Sequence, residues 1–108
     1  MNKLPQSIID YVEASNAQAP QRAAACFHQD AVVHDEGRTH HGREEITAWI
    51  AETGEKYRAT MEPIELQEAD GRHILRAGVR GNFPGSPVTL NFNFELRSGS
   101  IQSLEVKP

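Results

Sequence analysis

Between Val88 and Arg97 the chain alternates without a break, Val88, Leu90, Phe92, Phe94 and Leu96 being apolar and Thr89, Asn91, Asn93, Glu95 and Arg97 polar. Successive side chains of a strand point to opposite sides, so this segment predicts a β-strand with one face on a core and one polar face. The same period of two appears at Ile64 and Leu66, which alternate with Glu65 and Gln67. Asp70-Gly71 predicts a hairpin turn leading into a strand in RHILRAGVRGNF. NFPGSP predicts another turn region, and Ser98-Gly99 turns the chain into a last strand, SIQSLEVK. There Ile101, Leu104 and Val106 break the alternation, which predicts a bulge.

The first half repeats with a helical period instead. Pro5 suits a first helical turn, and Ile8, Tyr11, Val12 and Ser15 then share one side, predicting a helix over 4–17. NAQAP closes it, because the residue before Pro20 is pushed away from helical angles while Pro20 can open a new helix. A short second helix is predicted in PQRAAACFH, with Ala23, Ala24 and Phe27 facing inward. Ala31 to Asp35 predicts a strand in which Ala31, Val33 and Asp35 share one face and Val32 and His34 the other. The polar residues that follow are expected to form a loop. In GREEITAWIAETGEKY, Ile46, Trp49, Ile50, Thr53 and Tyr57 form a helical stripe, and Glu44 and Glu45 fall in the first turn, where the helix dipole favours acids. The order is an α+β arrangement: three N-terminal helices packed on a curved, mainly antiparallel sheet, a cone-shaped barrel with room for a cavity.

With 108 residues the chain is expected to form one domain over 1–108. Its 38% apolar and 24% charged residues fit an ordinary soluble protein. A net charge of −4 with no Lys/Arg cluster argues against nucleic acid as a partner, and no apolar run approaches a membrane span. Nothing near the N-terminus reads as a signal peptide, and with Cys26 the single cysteine no intrachain disulfide can form, so the cytoplasm is the expected compartment. Cys26, inside AAACF, is expected to be a small buried apolar residue.

Asp35 is the best candidate for chemistry. On a strand face shared with Ala31 and Val33 it is partly desolvated, which raises a carboxyl pKa toward the range useful to a general base. The alternative is that Asp35 ends the strand and satisfies loop amides or an arginine. Tyr11, on the buried stripe of the first helix, is either core or a hydrogen-bond donor in a pocket. Phe27, Val33, Trp49, Tyr57, Phe83 and Phe92 are the expected lining of that pocket. His34, His40 and His41 lack the spacing of a familiar metal motif, so no metal is expected. His40 and His41 are expected on the surface at the rim of the third helix, His34 on the side of its strand away from Asp35, and His73 on the surface of a hairpin. No glycine-rich phosphate loop, nucleophile elbow or catalytic Cys/His spacing is present, and no cofactor is implied.

IIDYVEASNAQ, CFHQDAVVHDEG, HGREEITAWI and LNFNFELRSGSIQSLEV together resemble the nuclear transport factor 2-like superfamily, within it the SnoaL-like and ketosteroid-isomerase-like small proteins. The resemblance covers nearly the whole chain and implies a cystatin-like fold. That fold hosts isomerases, dehydratases, cyclases, epoxide hydrolases and non-catalytic proteins, so it names no activity. By resemblance, Tyr11 falls where the isomerases have a tyrosine donating to a developing enolate, and Asp35 where they have the general base. The position of their protonated oxyanion-hole Asp falls at Phe92, and a one-residue slip would place Asn91 or Asn93 there with the strand turned over. Losing a preorganised donor costs about 3 kcal/mol of transition-state stabilisation, which weakens the case for steroid isomerisation. The resemblance implies a small apolar carbonyl-type ligand, proton transfer, and a homodimer through the polar sheet face. A non-catalytic binding or dimerisation domain, and a hydrolase or dehydratase using water activated by Asp35, remain the alternatives. The latter needs a second polar anchor, from His34 or from Glu36-Gly37-Arg38.

Overall fold

The computed structural model describes residues 4–108. Its elements run α1 (Gln6–Asn16), α2 (Pro20–Ala24), β1 (Phe27–Asp35), β2 (Arg38–His41), α3 (Gly42–Tyr57), β3 (Thr60–Ala69), β4 (Arg72–Arg80), β5 (Val88–Arg97) and β6 (Ser100–Lys107). The strands form one six-stranded sheet in the order β2-β1-β6-β5-β4-β3, curved around the helices. Every pairing is antiparallel except that of β1 with β6. The expected α+β cone is therefore the observed architecture. No helix among the described residues is long and apolar enough to cross a membrane.

The alternating patterns hold because one sheet face is covered by helices. Leu75, Phe92, Phe94 and Leu104 lie on that inner face, with Phe94 and Leu104 fully buried as a cross-strand pair. The predicted bulge is present: Glu95 pairs with Ser103 but Leu96 with Ile101, leaving Gln102 as the extra residue that restores Ile101 to the core. A second bulge at Ile64, between the Pro63 and Glu65 pairings, turns that side chain outward over Gly78 and leaves it 55% exposed.

Two boundaries differ from the sequence reading. The second helix stops at Ala24, and Phe27 begins β1 instead of closing a helix. Phe27 pairs with Ile101, whose N–H donates to the Cys26 carbonyl at 3.0 Å, so a long-range pairing overrides the local helical pattern. The side chain is inward, as expected, and fully buried. Cys26 is half-buried, at the edge of the core. The expected loop after Asp35 is a two-residue hairpin instead. Glu36 and Gly37 both take positive φ, 52° and 75°, and Arg38–His41 returns along Val32–Asp35.

Two contacts tie the ends of the helices to the sheet. The Asn16 amide at the end of α1 brackets the Met61 backbone of β3, donating to its carbonyl and accepting from its N–H, each at 2.9 Å. These bonds satisfy an edge strand 45 residues away. At the end of α3, Gly81 approaches so closely that a Cβ there would lie 2.6 Å from the Tyr57 carbonyl oxygen, and the Asn82 N–H donates to that oxygen.

Asn16→Ala removes both Met61 bonds and is expected to cost about 1–3 kcal/mol, read as a lower urea midpoint, with Asn16→Asp no better because its second carboxylate oxygen would face the Met61 carbonyl oxygen with no donor between them. Gly81→Ala must displace the loop from the α3 terminus. Its expected signature is a lower Tm with loss of the NMR contacts between the Phe83 and Tyr57 rings, which meet edge-on at 5.8 Å.

Candidate functional site

Between α1, α3 and the inner sheet face lies a cavity of about 440 Å³, a size suited to a small molecule. Tyr11 and Ser15 enter it from α1, and Trp49, Ile50 and Tyr57 from α3. The sheet and the loop before β5 supply Val79, Val88, Leu90, Phe92 and Phe83. Asp35 and Glu36, at the β1–β2 turn, add two carboxylates. The strand parity that put Asp35 on the face of Val33 carries it to the inner side, beside Trp49 in the middle of α3.

Asp35 is half-buried, and its Oδ2 accepts a hydrogen bond from Trp49 Nε1 at 3.0 Å. Removal from water pushes its carboxyl above the usual range; the Trp49 bond opposes the shift, the Glu36 charge adds to it, and His40 and the Glu36 backbone amide oppose it more weakly. The result is a carboxylate held in one orientation and made more basic than in water.

Tyr11 is 4% exposed and gripped by ring edges, with Phe27 at 5.5 Å and Phe94 at 5.8 Å. Burial holds its hydroxyl pKa far above the ordinary tyrosine range; nearby Ser15 offsets this, and the Asp35 charge reinforces it. The phenol is therefore a neutral O–H donor across the working pH range. Ser15 Oγ is shielded from solvent one helical turn from Tyr11, close enough for hydrogen bonding to work against the rise in the Tyr11 pKa.

Of the expected pocket lining, Trp49, Tyr57, Phe83 and Phe92 border the cavity. Phe27 and Val33 do not: both are fully buried in the packed core, Phe27 behind the Tyr11 ring. Phe92 is the residue turned inward, paired with Leu75 and Val106. Asn91 and Asn93 lie on the opposite face, bonding the backbone of Pro108 and Glu105. The strand is not turned over, and neither asparagine supplies a donor to the cavity.

The histidines divide between the two faces. His34 is exposed and its Nδ1 lies 3.1 Å from Thr39 Oγ1, on the side away from Asp35. His40, expected at the surface rim with His41, is half-buried because β2 pairs it with Val33 on the Asp35 side; its ring sits 5.8 Å from that of Trp49. His41 is exposed. His73 is not a surface residue either: only 17% of its side chain is exposed, and it faces inward opposite Phe94, with Nε2 3.8 Å from Glu68. Among the described residues no cluster of three or more His, Cys, Asp or Glu side chains is placed to hold a metal ion.

The cavity is also lined by residues that the sequence did not single out as lining, among them Ser15, Glu36, Ile50, Val79, Val88 and Leu90. Ser15 and Ile50 fall on their helical stripes. Glu36 is brought in by the turn, and its Oε1 accepts from the Tyr57 hydroxyl at 3.4 Å.

Residues 8–103 match the family model described as the SnoaL-like domain. Among solved structures, a candidate polyketide cyclase from Sinorhizobium meliloti is 35% identical with a TM-score of 0.92, covering 96% of this chain and 95% of that one. A ketosteroid-isomerase-like protein from Catenulispora acidiphila, solved with trimethylamine, is 20% identical with a TM-score of 0.86, covering 98% and 87%. An epoxide hydrolase/cyclase-like enzyme with a role in pyran ring formation in salinomycin is 16% identical with a TM-score of 0.81, covering 94% and 87%. The last two share the fold. No match is found among curated protein sequences. The family match over most of the chain, with the helices and curved sheet of its structural neighbours, places this chain in the SnoaL-like domain family.

Proposed function

We propose that this SnoaL-like chain binds a compact apolar molecule carrying a carbonyl group and moves a proton within it. Asp35 takes a proton from the carbon next to the carbonyl, the electron pair shifts onto the oxygen, and Tyr11 donates a hydrogen bond to the resulting enolate. Protonated Asp35 then returns the proton to the same or a conjugated carbon. The observation that carries this reading is that Asp35, made more basic by burial, and Tyr11, held as a neutral donor, border one cavity. Phe92 at the third position leaves enolate stabilisation one donor short of the ketosteroid isomerase pattern, which favours a more activated substrate.

A second reading, hydrolysis or dehydration by water activated at Asp35, is supported by Glu36, a second carboxylate at the same cavity. His34 faces away and cannot be the anchor for it. We also propose pairing of two copies through the outer sheet face, which carries the outward Ile64 beside strands whose charges are paired internally, as in Arg72–Glu95 and Arg76–Glu65.

Deuterium exchange into a panel of small ketones and enones, followed by NMR, tests the first reading. Asp35→Asn should lower the rate about 10²- to 10⁴-fold, and Tyr11→Phe about 10²- to 10³-fold. No exchange with the wild type, or equal exchange with Asp35→Asn, rejects proton transfer; hydration or ring-opened products would favour the second reading. The rate should climb with pH through the ionisation of Asp35, at a midpoint above 3.8.

The same substitution should act oppositely on stability. Asp35 has a raised folded pKa, so at neutral pH the folded state holds a poorly solvated carboxylate that the unfolded chain would hydrate. Asp35→Asn is expected to raise Tm at pH 7, and the gain should vanish as pH falls through the raised pKa and below 3.8, where both states bind the proton. For the dimer, sedimentation equilibrium should give twice the 12.0 kDa chain mass, reduced to the single mass by Ile64→Glu.

A further inference from the structure

The aromatic side chains of this protein are concentrated on its cavity. Of the one Trp, two Tyr and four Phe in the chain, only Phe27 and Phe94 stand away from it. The charged residues at the same cavity are of one sign: Asp35 and Glu36 border it, and no Lys, Arg or His does. Both carboxylates are held by neutral donors, Asp35 by Trp49 Nε1 at 3.0 Å and Glu36 by the Tyr57 hydroxyl at 3.4 Å. Among the described residues neither has an ion pair, whereas Glu65, Glu95 and Glu105 on the sheet each have one. Adjacent like charges beside apolar walls focus a negative potential into the cavity.

The two features meet where Tyr57 reaches Glu36. The Tyr57 and Phe83 rings stand at 84° with centroids 5.8 Å apart, next to the Glu36 carboxylate. From outside, a cation already uses this corner: Nζ of the exposed Lys56 lies 5.0 Å from the Tyr57 ring centroid, and Lys56 does not border the cavity. Ring faces are electron-rich and attract cations, including quaternary ammonium groups. We propose that the cavity selects a cationic, alkylated nitrogen, a tertiary or quaternary ammonium group, with Glu36 as its counter-ion and the Tyr57 and Phe83 rings against its alkyl groups. A neutral apolar ligand would desolvate the two carboxylates without compensation, whereas an ammonium group compensates them and still covers the rings. This preference stands apart from proton transfer. Only its extension to one substrate, a ketone with the ammonium group beside its carbonyl, rests on the carbonyl reading above. There the positive charge would help to stabilise the enolate that Phe92 leaves one donor short.

The test uses choline and 3,3-dimethyl-1-butanol, which share a shape and differ in having a cationic nitrogen or a neutral carbon at the branch point. In NMR titrations of wild type, choline should bind about 10-fold more tightly and shift the Trp49, Tyr57 and Phe83 side-chain signals. Glu36→Gln, at an exposed position, should weaken choline about 2- to 5-fold and leave the alcohol unchanged. Tyr57→Leu should weaken choline more than the alcohol. Equal affinity of wild type for the two probes, or no binding of choline, would overturn the proposal. A choline preference left intact by Glu36→Gln would also overturn it, since the preference would then reflect the net charge of −4 and not this corner. Deuterium exchange into ketones decides the proton-transfer reading separately. Exchange without a choline preference rejects the ammonium site alone, and a choline preference without exchange rejects proton transfer alone.

Discussion

The parallel pairing of β1 with β6 is the constraint on which the rest depends. All other neighbouring strands are joined by hairpins or short connections, but this pairing brings the start of the chain against its end, from Phe27 beside Ile101 to His34 beside Glu105. It sets Asp35 at the tip of a strand held on both sides, by β6 and by the β2 hairpin. The same pairing anchors α3, since Arg43 Nε donates to the Phe27 carbonyl at 2.9 Å and the Glu45 carboxylate accepts from the His41 N–H at 2.8 Å. With its first turn fixed, α3 delivers Trp49 to Asp35, and the carboxylate is oriented by two rigid elements instead of a loop.

The fold keeps its cavity at a cost that the packed half of the molecule offsets. Ile8, Phe27, Ile46, Phe94, Ile101 and Leu104 are fully buried in one cluster, and truncating any of the large ones would cost about 2–5 kcal/mol. Against that reserve stands a poorly solvated Asp35 at the edge of the cavity. A group that weakens the fold yet borders a cavity is the physical signature of a site shaped for a ligand.

Membership of the SnoaL-like family explains the frame and leaves the chemistry to particular side chains. What separates proton transfer from water activation in such a cavity is where donors stand relative to Asp35. Here Tyr11 stands on α1, Glu36 on the turn, and an apolar ring on the facing strand.

Much of this architecture was legible from periodicity. The alternation from Val88 to Arg97 requires one buried and one polar face, so Phe92 rather than Asn91 or Asn93 turns inward, and the parity of Ala31, Val33 and Asp35 carries the carboxylate to the inner side. The stripes through Tyr11 and Trp49 orient those rings for the same reason: side-chain direction within an element follows from local geometry. Contacts between elements were not legible. Nothing local marks Phe27 as a strand residue, since its partner Ile101 is 74 positions away and the helical pattern of AAACF competes with that pairing. His40 reaches the Asp35 side only because Glu36-Gly37 makes a tight turn without the usual Asn or Asp before the glycine. Phe27 and Val33 belong to the packed core while Trp49 and Phe92 border open space, a distinction set by how far three helices can close on a curved sheet. The sequence by itself determined which faces are apolar and which side each candidate residue takes. The tertiary structure decided which of those residues meet, because hydrogen bonds and voids between distant segments exist only once the chain has closed.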